Sequence, residues 1–197
     1  MPTSADQLAD LPLNELLARV AARTPAPGGG SAVAVVCSLA AGLVEMAARF
    51  GDHGDDTIVR AGRLGKQALA LAEAELAAYA PVIEAQRLAP DDPGRDERVR
   101  RARSSAADLP LEIAELGAEL AAMAAQSARA GHHALAGDAI AAALLAEAAC
   151  RAAAELVVIN LSDLPGDGRV TRAGELSRAA ARARDEALAS GARRRGR

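Results

Sequence analysis

The chain has 197 residues, of which 51% are hydrophobic and 25% charged, the balance of one soluble globular domain with its own core. A formal net charge of −3, with one Phe, one Tyr and no Trp, argues against nucleic-acid binding and against attraction to anionic membranes. Alanine takes the place of aromatic residues in this composition, so the helices must approach one another closely. Such a chain buries little apolar area per residue, and we therefore expect a homodimer or larger assembly.

The start of the chain, MPTSADQLADLP, has neither a basic region nor an apolar segment, so we predict no signal peptide. The longest uncharged apolar run, residues 32–44, is too short to span a bilayer. We therefore expect a cytoplasmic protein with no membrane partner. Cys37 and Cys150 both lie within apolar runs, and we interpret them as buried, reduced, space-filling thiols rather than a redox pair.

Helical periodicity runs through the chain and strand signals are nearly absent. The sequence therefore predicts an all-α fold, an up-and-down bundle of about six helices, two of them long and proline-interrupted. The first helix is predicted from about Ser4 to Arg23, where prolines and glycines end it. The second is predicted to begin after Ser31, a good N-cap, and to end near Gly51.

The next two predicted helices are the long ones, and Pro81 and Pro110 interrupt them. The predicted ranges of the third, fourth and fifth helices are 56–88, 95–130 and 138–161. A last polar helix is predicted to end before Gly191. We assign residues 1–190 to a single helical domain and residues 191–197 to a disordered basic tail.

The segment TPAPGGGSAVAVV, residues 24–36, places two prolines and three consecutive glycines between two predicted helices. Glycines leave the backbone bare just before a helix N-terminus, where free N–H groups favour an anion or a polar heterocycle. The same residues also suit a tight turn that lets two helices cross closely, and spacing alone leaves both interpretations open. The candidate binding residues here are Pro27, Gly28, Gly29, Gly30 and Ser31.

Several polar side chains interrupt apolar helical faces, among them Glu75, Asp138 and Asn160. A solvated face or a helix cap is the commoner explanation for any single one, and Asp138 is well placed as a cap. Asn160 stands among Leu, Val and Ile residues, and a buried amide needs backbone or ligand partners. Asp138 and Asn160 lie ~33 Å apart on one helix, so only two subunits could bring both to one site.

No metal-ligand spacing is present, because His132 and His133 are adjacent and would point in different directions on a helix. We therefore predict no metal and no bound cofactor. Arg98 and Arg101 are three residues apart and share a helix face. This face suits a polyanionic tail, and an exposed solubilising surface is the alternative.

Four segments, in this order, resemble the cyclodeaminase/methenyltetrahydrofolate cyclohydrolase family, which includes the C-terminal domain of formiminotransferase-cyclodeaminase. TPAPGGGSAVAV is similar to the family's Pro-x-Pro-Gly-Gly-Gly-Ser opening of its second helix, the most specific of the matches. The other three are ELAAYAPVIEAQRLAP (75–90), ADLPLEIAE (107–115) and GDAIAAALLAEAACRAAAELVVINL (137–161). The resemblance covers about residues 5–165.

The resemblance implies an all-helical homodimer that binds a tetrahydrofolate derivative as its substrate near the subunit interface. The implied reaction is hydrolysis of 5,10-methenyltetrahydrofolate to 10-formyltetrahydrofolate or deamination of 5-formiminotetrahydrofolate. We expect the cyclohydrolase, since no formiminotransferase domain accompanies this sequence. Both reactions pass through a tetrahedral carbon between N5 and N10 and need proton transfer. The resemblance assigns proton transfer to Asp138 and Glu75. Substrate binding falls to the glycine segment, Asn160, Arg98 and Arg101.

The chain departs from the family pattern at several positions. Glu75 and Tyr79 stand where the family has Asp and Phe. Residues 131–138, GHHALAGD, keep only the aspartate of Gly-Asn-x-Asn-x-x-Ser-Asp, and residues 51–54 are acidic where the family has Gly-Lys-Lys. These departures favour a second hypothesis, a diverged non-catalytic helical dimer that binds another small molecule or a protein partner.

Overall fold

The computed structural model describes residues 7–50, 55–130, 135–164 and 166–195. Every regular element in these ranges is helical, which confirms the predicted all-α fold. A short 3-10 turn, Leu8–Asp10, precedes the α-helices. In chain order these are α1 (Leu13–Ala21), α2 (Gly29–Phe50), α3 (Asp55–Ala78), α4 (Ala80–Gln86), α5 (Arg95–Ala106), α6 (Asp108–Ala130), α7 (Ala136–Asn160) and α8 (Gly168–Arg195).

The bundle is built on α2, α3, α6, α7 and α8, and the contact between α6 and α7 is the most extensive. Its core is mostly alanine, with larger side chains such as Leu64, Ile113 and Leu120 at intervals. A Cβ at Gly117 of α6 would lie 2.9 Å from the Cβ and the backbone nitrogen of Cys150 on α7, so this close approach requires glycine. Helices packed this tightly hold the residues at their ends in defined positions.

α2 is a strongly apolar helix, long and apolar enough by composition to cross a membrane. In this fold it is a core helix that packs against α3, α6 and α7. Cys37 on α2 and Cys150 on α7 are both buried and free, as predicted. Burial raises the pKa of each thiol to about 12, so both cysteines stay protonated at neutral pH.

The first helix is shorter than predicted and lies on the surface. It begins at Leu13, directly after Pro12, because a proline has no N–H and fits only the start of a helix. Leu8 is buried on the preceding 3-10 turn, whereas Leu17 of α1 is exposed. The predicted start at Ser4 lies outside the described residues.

Each of the two long predicted helices is divided in the structure. Tyr79 separates α3 from α4, and Pro81 is the second residue of α4. Ala107 separates α5 from α6, and Pro110 is the third residue of α6. A proline is tolerated in the first turn of a helix but not deeper, so each new helix starts just ahead of its proline.

The last helix is longer than predicted. α8 continues to Arg195, so the predicted end before Gly191 is wrong and residues 191–195 are helical. Gly191 is buried and faces the Ile140 side chain of α7, so α8 still packs against α7 at this glycine. Arginine is also a good helix former, and the charged residues after Gly191 are compatible with a last helical turn.

Candidate functional site

A cavity of about 240 Å³ opens where the glycine segment meets the ends of α3 and α7. Its polar lining comes from the backbone of Gly28, Gly29 and Gly30 and from the side chains of Glu75 and Asn160. The structure therefore brings together five of the residues that the sequence nominated, from three separate stretches of the chain. The apolar walls are formed by Pro25, Ala26, Tyr79, Pro110, Leu156 and Ile159.

The glycine segment forms the first turn of α2 and not only the loop before it. α2 begins at Gly29, and the N–H of Ala32 donates to the Gly28 carbonyl. A Cβ at Gly29 would meet no atom within 4 Å, so the backbone is open on that side. The free N–H groups and the positive end of the helix dipole at the start of α2 therefore lie at the cavity.

Ser31 is not the N-cap that the sequence suggested, because α2 starts two residues earlier. Its Oγ donates a hydrogen bond of 2.8 Å to the Ala72 carbonyl of α3, and the residue is only 2% exposed. Ser31 therefore joins α2 to α3 and is absent from the cavity lining. Pro27, which follows a cis peptide bond after Ala26, is buried and lines a neighbouring groove with Leu76.

Glu75 is the acidic side chain of the cavity. It lies one turn after Ala72 on α3, so the Ser31 bond also fixes the position of Glu75 relative to α2. A Cβ at Gly30 would overlap the Glu75 Oε2 atom, so the carboxyl group occupies space that only a glycine leaves free. Its Oε1 atom is buried without a hydrogen-bond partner among the described residues. Burial raises the pKa of Glu75 above its ordinary value and favours the uncharged carboxylic acid.

Asn160 is the last residue of α7, and its side chain is half-buried at the cavity. Its Nδ2 donates a hydrogen bond of 3.2 Å to the carbonyl of Ala106, at the end of α5. This is the backbone partner that the apolar surroundings of Asn160 predicted. A carboxamide has two N–H donors and an acceptor oxygen, so one N–H and Oδ1 remain for a ligand.

This arrangement suits a flat, polar heterocycle. Apolar walls would hold its faces, and the amide of Asn160 and the open backbone of Gly29 offer hydrogen bonds at its edges. A buried carboxyl group with a raised pKa holds its proton to a higher pH than an exposed one does, and such a group is suited to proton transfer. No group of three or more His, Cys, Asp or Glu side chains that could hold a metal occurs in the described part of the chain.

Asp138 lies far from this cavity within one protomer. It is the third residue of α7, and Asn160 is the last, so the two are ~33 Å apart along the helix. The predicted cap role of Asp138 is wrong, because α7 begins at Ala136 and Leu135 holds the N-cap position without a side-chain hydrogen bond. Asp138 instead places a negative charge in the first helical turn. Residues 131–134 lie outside the described residues.

Arg98 and Arg101 line a separate groove of about 780 Å³ between α4 and α5. Arg98 Nη2 lies 2.5 Å from Asp92 Oδ1, and Arg101 Nη2 lies 3.4 Å from Glu97 Oε1, so both already have acidic partners. Ala78 and Pro81 of the groove flank Tyr79 of the cavity along the chain. Both concavities thus reach the junction between α3 and α4.

The apolar walls of the cavity include residues that the sequence did not nominate. In the sequence, Pro110 is a helix interruption, Leu156 and Ile159 are neighbours of Asn160, and all three fall within segments that carry the family resemblance. Ile159 is 62% exposed and Tyr79 is 41% exposed, so both form an apolar rim at the mouth. The available signal was that Tyr79 is close in sequence to Glu75, and Leu156 and Ile159 are close to Asn160, but the face of each helix end that turns to the cavity is set by tertiary packing.

Comparison with known proteins places this architecture in a family. The family model for formiminotransferase-cyclodeaminase matches residues 12–175. Formimidoyltransferase-cyclodeaminase of Mus musculus is 32% identical over 176 residues, which cover 81% of this chain and 32% of the mouse protein. The Rattus norvegicus protein is 31% identical over 176 residues, with the same coverage of 81% and 32%. The chain thus spans about a third of the length of these curated relatives.

The fold has a close match among solved structures. Formiminotetrahydrofolate cyclodeaminase from Thermotoga maritima superposes with a TM-score of 0.83 at 22% sequence identity. The superposition covers 93% of this chain and 97% of that protein. The match at residues 12–175 includes the glycine segment, Glu75 and Asn160, which together line the cavity. The chain belongs to the formiminotransferase-cyclodeaminase family.

Proposed function

We propose that this chain is a folate one-carbon enzyme that acts on the carbon joining N5 and N10 of tetrahydrofolate. The observation that carries the proposal is the buried Glu75 Oε1, which has no partner among the described residues and lies in a cavity with Asn160 and the start of α2. A buried acceptor without a partner is costly in a folded protein unless a ligand or a reaction uses it. Family membership supplies the chemistry to test.

The reaction we propose first is cyclodeamination of 5-formiminotetrahydrofolate. The relatives carry cyclodeaminase in their names, which favours this reaction over the cyclohydrolase expected from the sequence. N10 attacks the carbon of the protonated formimino group, whose C=N double bond becomes a single bond, and the resulting tetrahedral carbon carries an amino group. A proton then passes from N10 to that amino group, ammonia leaves, and the 5,10-methenyl bridge forms. Hydrolysis of the methenyl bridge passes through a tetrahedral carbon at the same position.

Glu75 is suited to this proton transfer. As a carboxylate it takes the proton from N10, and as a carboxylic acid it gives that proton to the departing amine. The raised pKa favours the protonated form, so the group can hold the transferred proton between the two steps. Asn160 and the start of α2 would orient the pterin, since both offer hydrogen-bonding groups at the cavity. Asn160 and the start of α2 do not exchange a proton in this proposal, and they contribute by orienting the substrate.

The size of the cavity supports a site shared between two copies of the chain. Its 240 Å³ lies below the ~300–1,000 Å³ of most ligand pockets, so one protomer has room only for the ring system of the substrate. The rim residues Ile159 and Tyr79 are exposed apolar side chains, which a second protomer would cover. In such a homodimer the Asp138 of the second protomer can approach the cavity. The groove of Arg98 and Arg101 would then receive the glutamyl tail.

The methenyl chromophore provides the test of the reaction. Purified protein is mixed with 5-formiminotetrahydrofolate, and the rise of methenyl absorbance is compared with the uncatalysed rate. Loss of absorbance from 5,10-methenyltetrahydrofolate, followed separately, measures the cyclohydrolase. Acceleration of either reaction supports the proposal and identifies the activity. No acceleration of either would contradict it.

Tyr79 allows binding to be measured apart from turnover. It is the single tyrosine in a chain without tryptophan, and it lines the cavity. Its fluorescence should fall when a folate enters, after correction for absorption by the ligand. Quenching without turnover would favour the second hypothesis, a non-catalytic member that keeps the pocket.

Mixed dimers test whether two protomers share one site. Glu75→Gln and Asp138→Asn proteins should each be inactive as homodimers. If the site combines Glu75 of one protomer with Asp138 of the other, a mixed dimer contains one site with both native residues. Activity should then reappear when the two variants are unfolded and refolded together. Failure of a verified mixed dimer to regain activity would remove Asp138 from the site.

A further inference from the structure

We propose that Arg169 is a positioning residue that holds Asn160 in place from outside the cavity, through the residues that join α5 to α6. This α5–α6 junction consists of residues 104–108. The consequence for folate binding rests on the proposed function, whereas the link between Arg169 and Asn160 rests on geometry alone. Arg169 itself is not part of the cavity lining.

The side chain of Arg169 donates hydrogen bonds to both ends of the junction. Its Nη1 donates to the Ser104 carbonyl at 2.7 Å and to Asp108 Oδ1 at 2.5 Å. Its Nη2 donates to the Ser104 Oγ at 2.7 Å. The guanidinium therefore connects the last turn of α5 to the first residue of α6, across the point where the helix is broken.

Asp167 holds the guanidinium in the orientation that the hydrogen bonds to Ser104 and Asp108 require. Asp167 Oδ1 accepts from Arg169 Nε at 3.0 Å, and Oδ2 accepts from Nη2 at 2.8 Å. Hydrogen bonds from Arg169 lower the pKa of Asp167 to about 2, so the carboxylate stays charged throughout the neutral range. Both residues belong to the segment that starts α8, which fixes the arginine relative to the bundle.

The junction contacts the cavity from its other side. The carbonyl of Ala106 accepts the Asn160 Nδ2 hydrogen bond of 3.2 Å. Ala106 is buried midway between Ser104 and Asp108, the two residues that Arg169 holds. Pro110, two residues beyond Asp108, forms part of the cavity wall. Arg169 and Asn160 therefore act on the same short stretch of backbone, and a shift of that stretch moves the amide of Asn160.

An arginine is needed here for its shape and not only for its charge. Its planar fork carries five N–H donors in a fixed arrangement, whereas a lysine offers one compact ammonium group. Arg172, one turn later on α8, provides a matched control. It is exposed, and its Nε lies 3.4 Å from Glu115 Oε1 without contact to the junction.

Asparagine labelling gives a test that requires no ligand. Asn14 and Asn160 are the two asparagines of the chain, and Asn14 is exposed, so [15N]asparagine gives two distinct side-chain amide signals. Arg169→Gln and Arg169→Lys should both shift the Asn160 signals and accelerate their exchange with water, and leave Asn14 unchanged. Arg172→Gln should alter neither. If Arg169→Gln does not fold, Asp167→Asn releases the arginine more mildly and should give a smaller shift in the same signals.

A double-mutant cycle tests the consequence for the site. The affinity for 5-formyltetrahydrofolate is measured from Tyr79 fluorescence. Arg169→Gln should weaken it about tenfold, the equivalent of one hydrogen bond to the ligand. In an Asn160→Ala background the same substitution should have no further effect, because the group that it displaces is gone. Equal effects in the two backgrounds would show that Arg169 acts only on general stability, and would overturn the proposal.

The two measurements separate the ways in which the inference can fail. If the parent protein binds no folate, the proposed function is wrong, and the asparagine signals still test the link between Arg169 and Asn160. If folate binds and the Asn160 signals do not respond to Arg169→Gln, the proposed function stands and the positioning role is wrong.

Discussion

The cavity of Glu75 and the groove of Arg98 and Arg101 show how differently two nominated binding regions behave once the chain is folded. In the cavity, and among the described residues, a carboxyl oxygen is buried without a partner and the Asn160 amide group makes one hydrogen bond, through Nδ2. In the groove, the larger of the two, the arginines are exposed and already paired with Asp92 and Glu97. An ion pair in solvent contributes little free energy, whereas a buried polar group without a partner is costly unless a ligand or a reaction uses it. Burial, not the number of charges, is therefore the reason to propose the cavity, and not the groove, as the reacting region.

The largest expected effect is the loss of activity in Glu75→Gln. The amide cannot transfer a proton, so turnover should fall about 1,000-fold, within the range for removal of a general acid or base. Substrate affinity, read from Tyr79 fluorescence, should change much less. Turnover within a factor of two of the parent would show that the buried carboxyl group is not the reacting group, and would remove the main difference between cavity and groove.

Gly30→Ala should reduce activity about 100-fold without unfolding the protein. The added methyl group overlaps Glu75 Oε2, the far end of a flexible side chain, so the carboxyl group can move aside while the helices stay packed. A displacement of about 1 Å in a catalytic group is sufficient for such a loss. Gly42→Ala, on the same helix, is the matched control, because a Cβ there meets no atom within 4 Å and Gly42 does not line the cavity. Equal activities of the two variants would contradict the contact between Gly30 and Glu75.

A smaller effect should appear in the pH dependence of stability. The pKa of Glu75 is raised from 4.5 by burial, so the folded state binds the proton more tightly than the unfolded chain does. This contribution to stability is complete below pH 4.5 and is lost as the pH rises through the folded-state pKa. Glu75→Gln has no such loss. The free energy of unfolding of the variant, minus that of the parent, should therefore increase as the pH rises from acidic to neutral. Urea titrations at several pH values measure this difference. If the two free energies change with pH in parallel, the burial of this carboxyl group is contradicted.

The smallest effect belongs to the groove. Arg98→Gln and Arg101→Gln should each weaken binding of a polyglutamylated folate by at most about fivefold, the equivalent of ~1 kcal/mol for an exposed pair. Affinity for a monoglutamate should not change, and the difference should shrink as salt is added. A loss of turnover with the monoglutamate would place the arginines in the reacting region. It would contradict the proposal that the cavity, and not the groove, is that region.

Several residues of the site were predictable because their chemistry conflicts with their local pattern. Three glycines in a row, an amide among Val, Ile and Leu residues, and an acid on an alanine-rich helix are each visible in the sequence. The structure brings all of them to one cavity. Ser31 and Asp138 were misassigned as caps, since glycines at 28–30 and 137 could equally begin a helix or precede it, and no local signal distinguishes the two. Arg169 was not nominated, because an arginine between loop and helix has no distinctive pattern.

The sequence by itself determined the helices and the kinds of group available to the site. Alanine-rich helical periodicity dictates helices, prolines limit where they can run, and polar residues on apolar faces mark positions that need partners. Only the tertiary structure decided which of those groups meet. Gly30 acquires its role from the Glu75 carboxyl group 45 positions away, and Asn160 from a carbonyl 54 positions away that Arg169 holds from a third helix. Contacts between distant residues depend on how whole helices pack, and that packing is the sum of many small apolar contacts that no short stretch of sequence encodes.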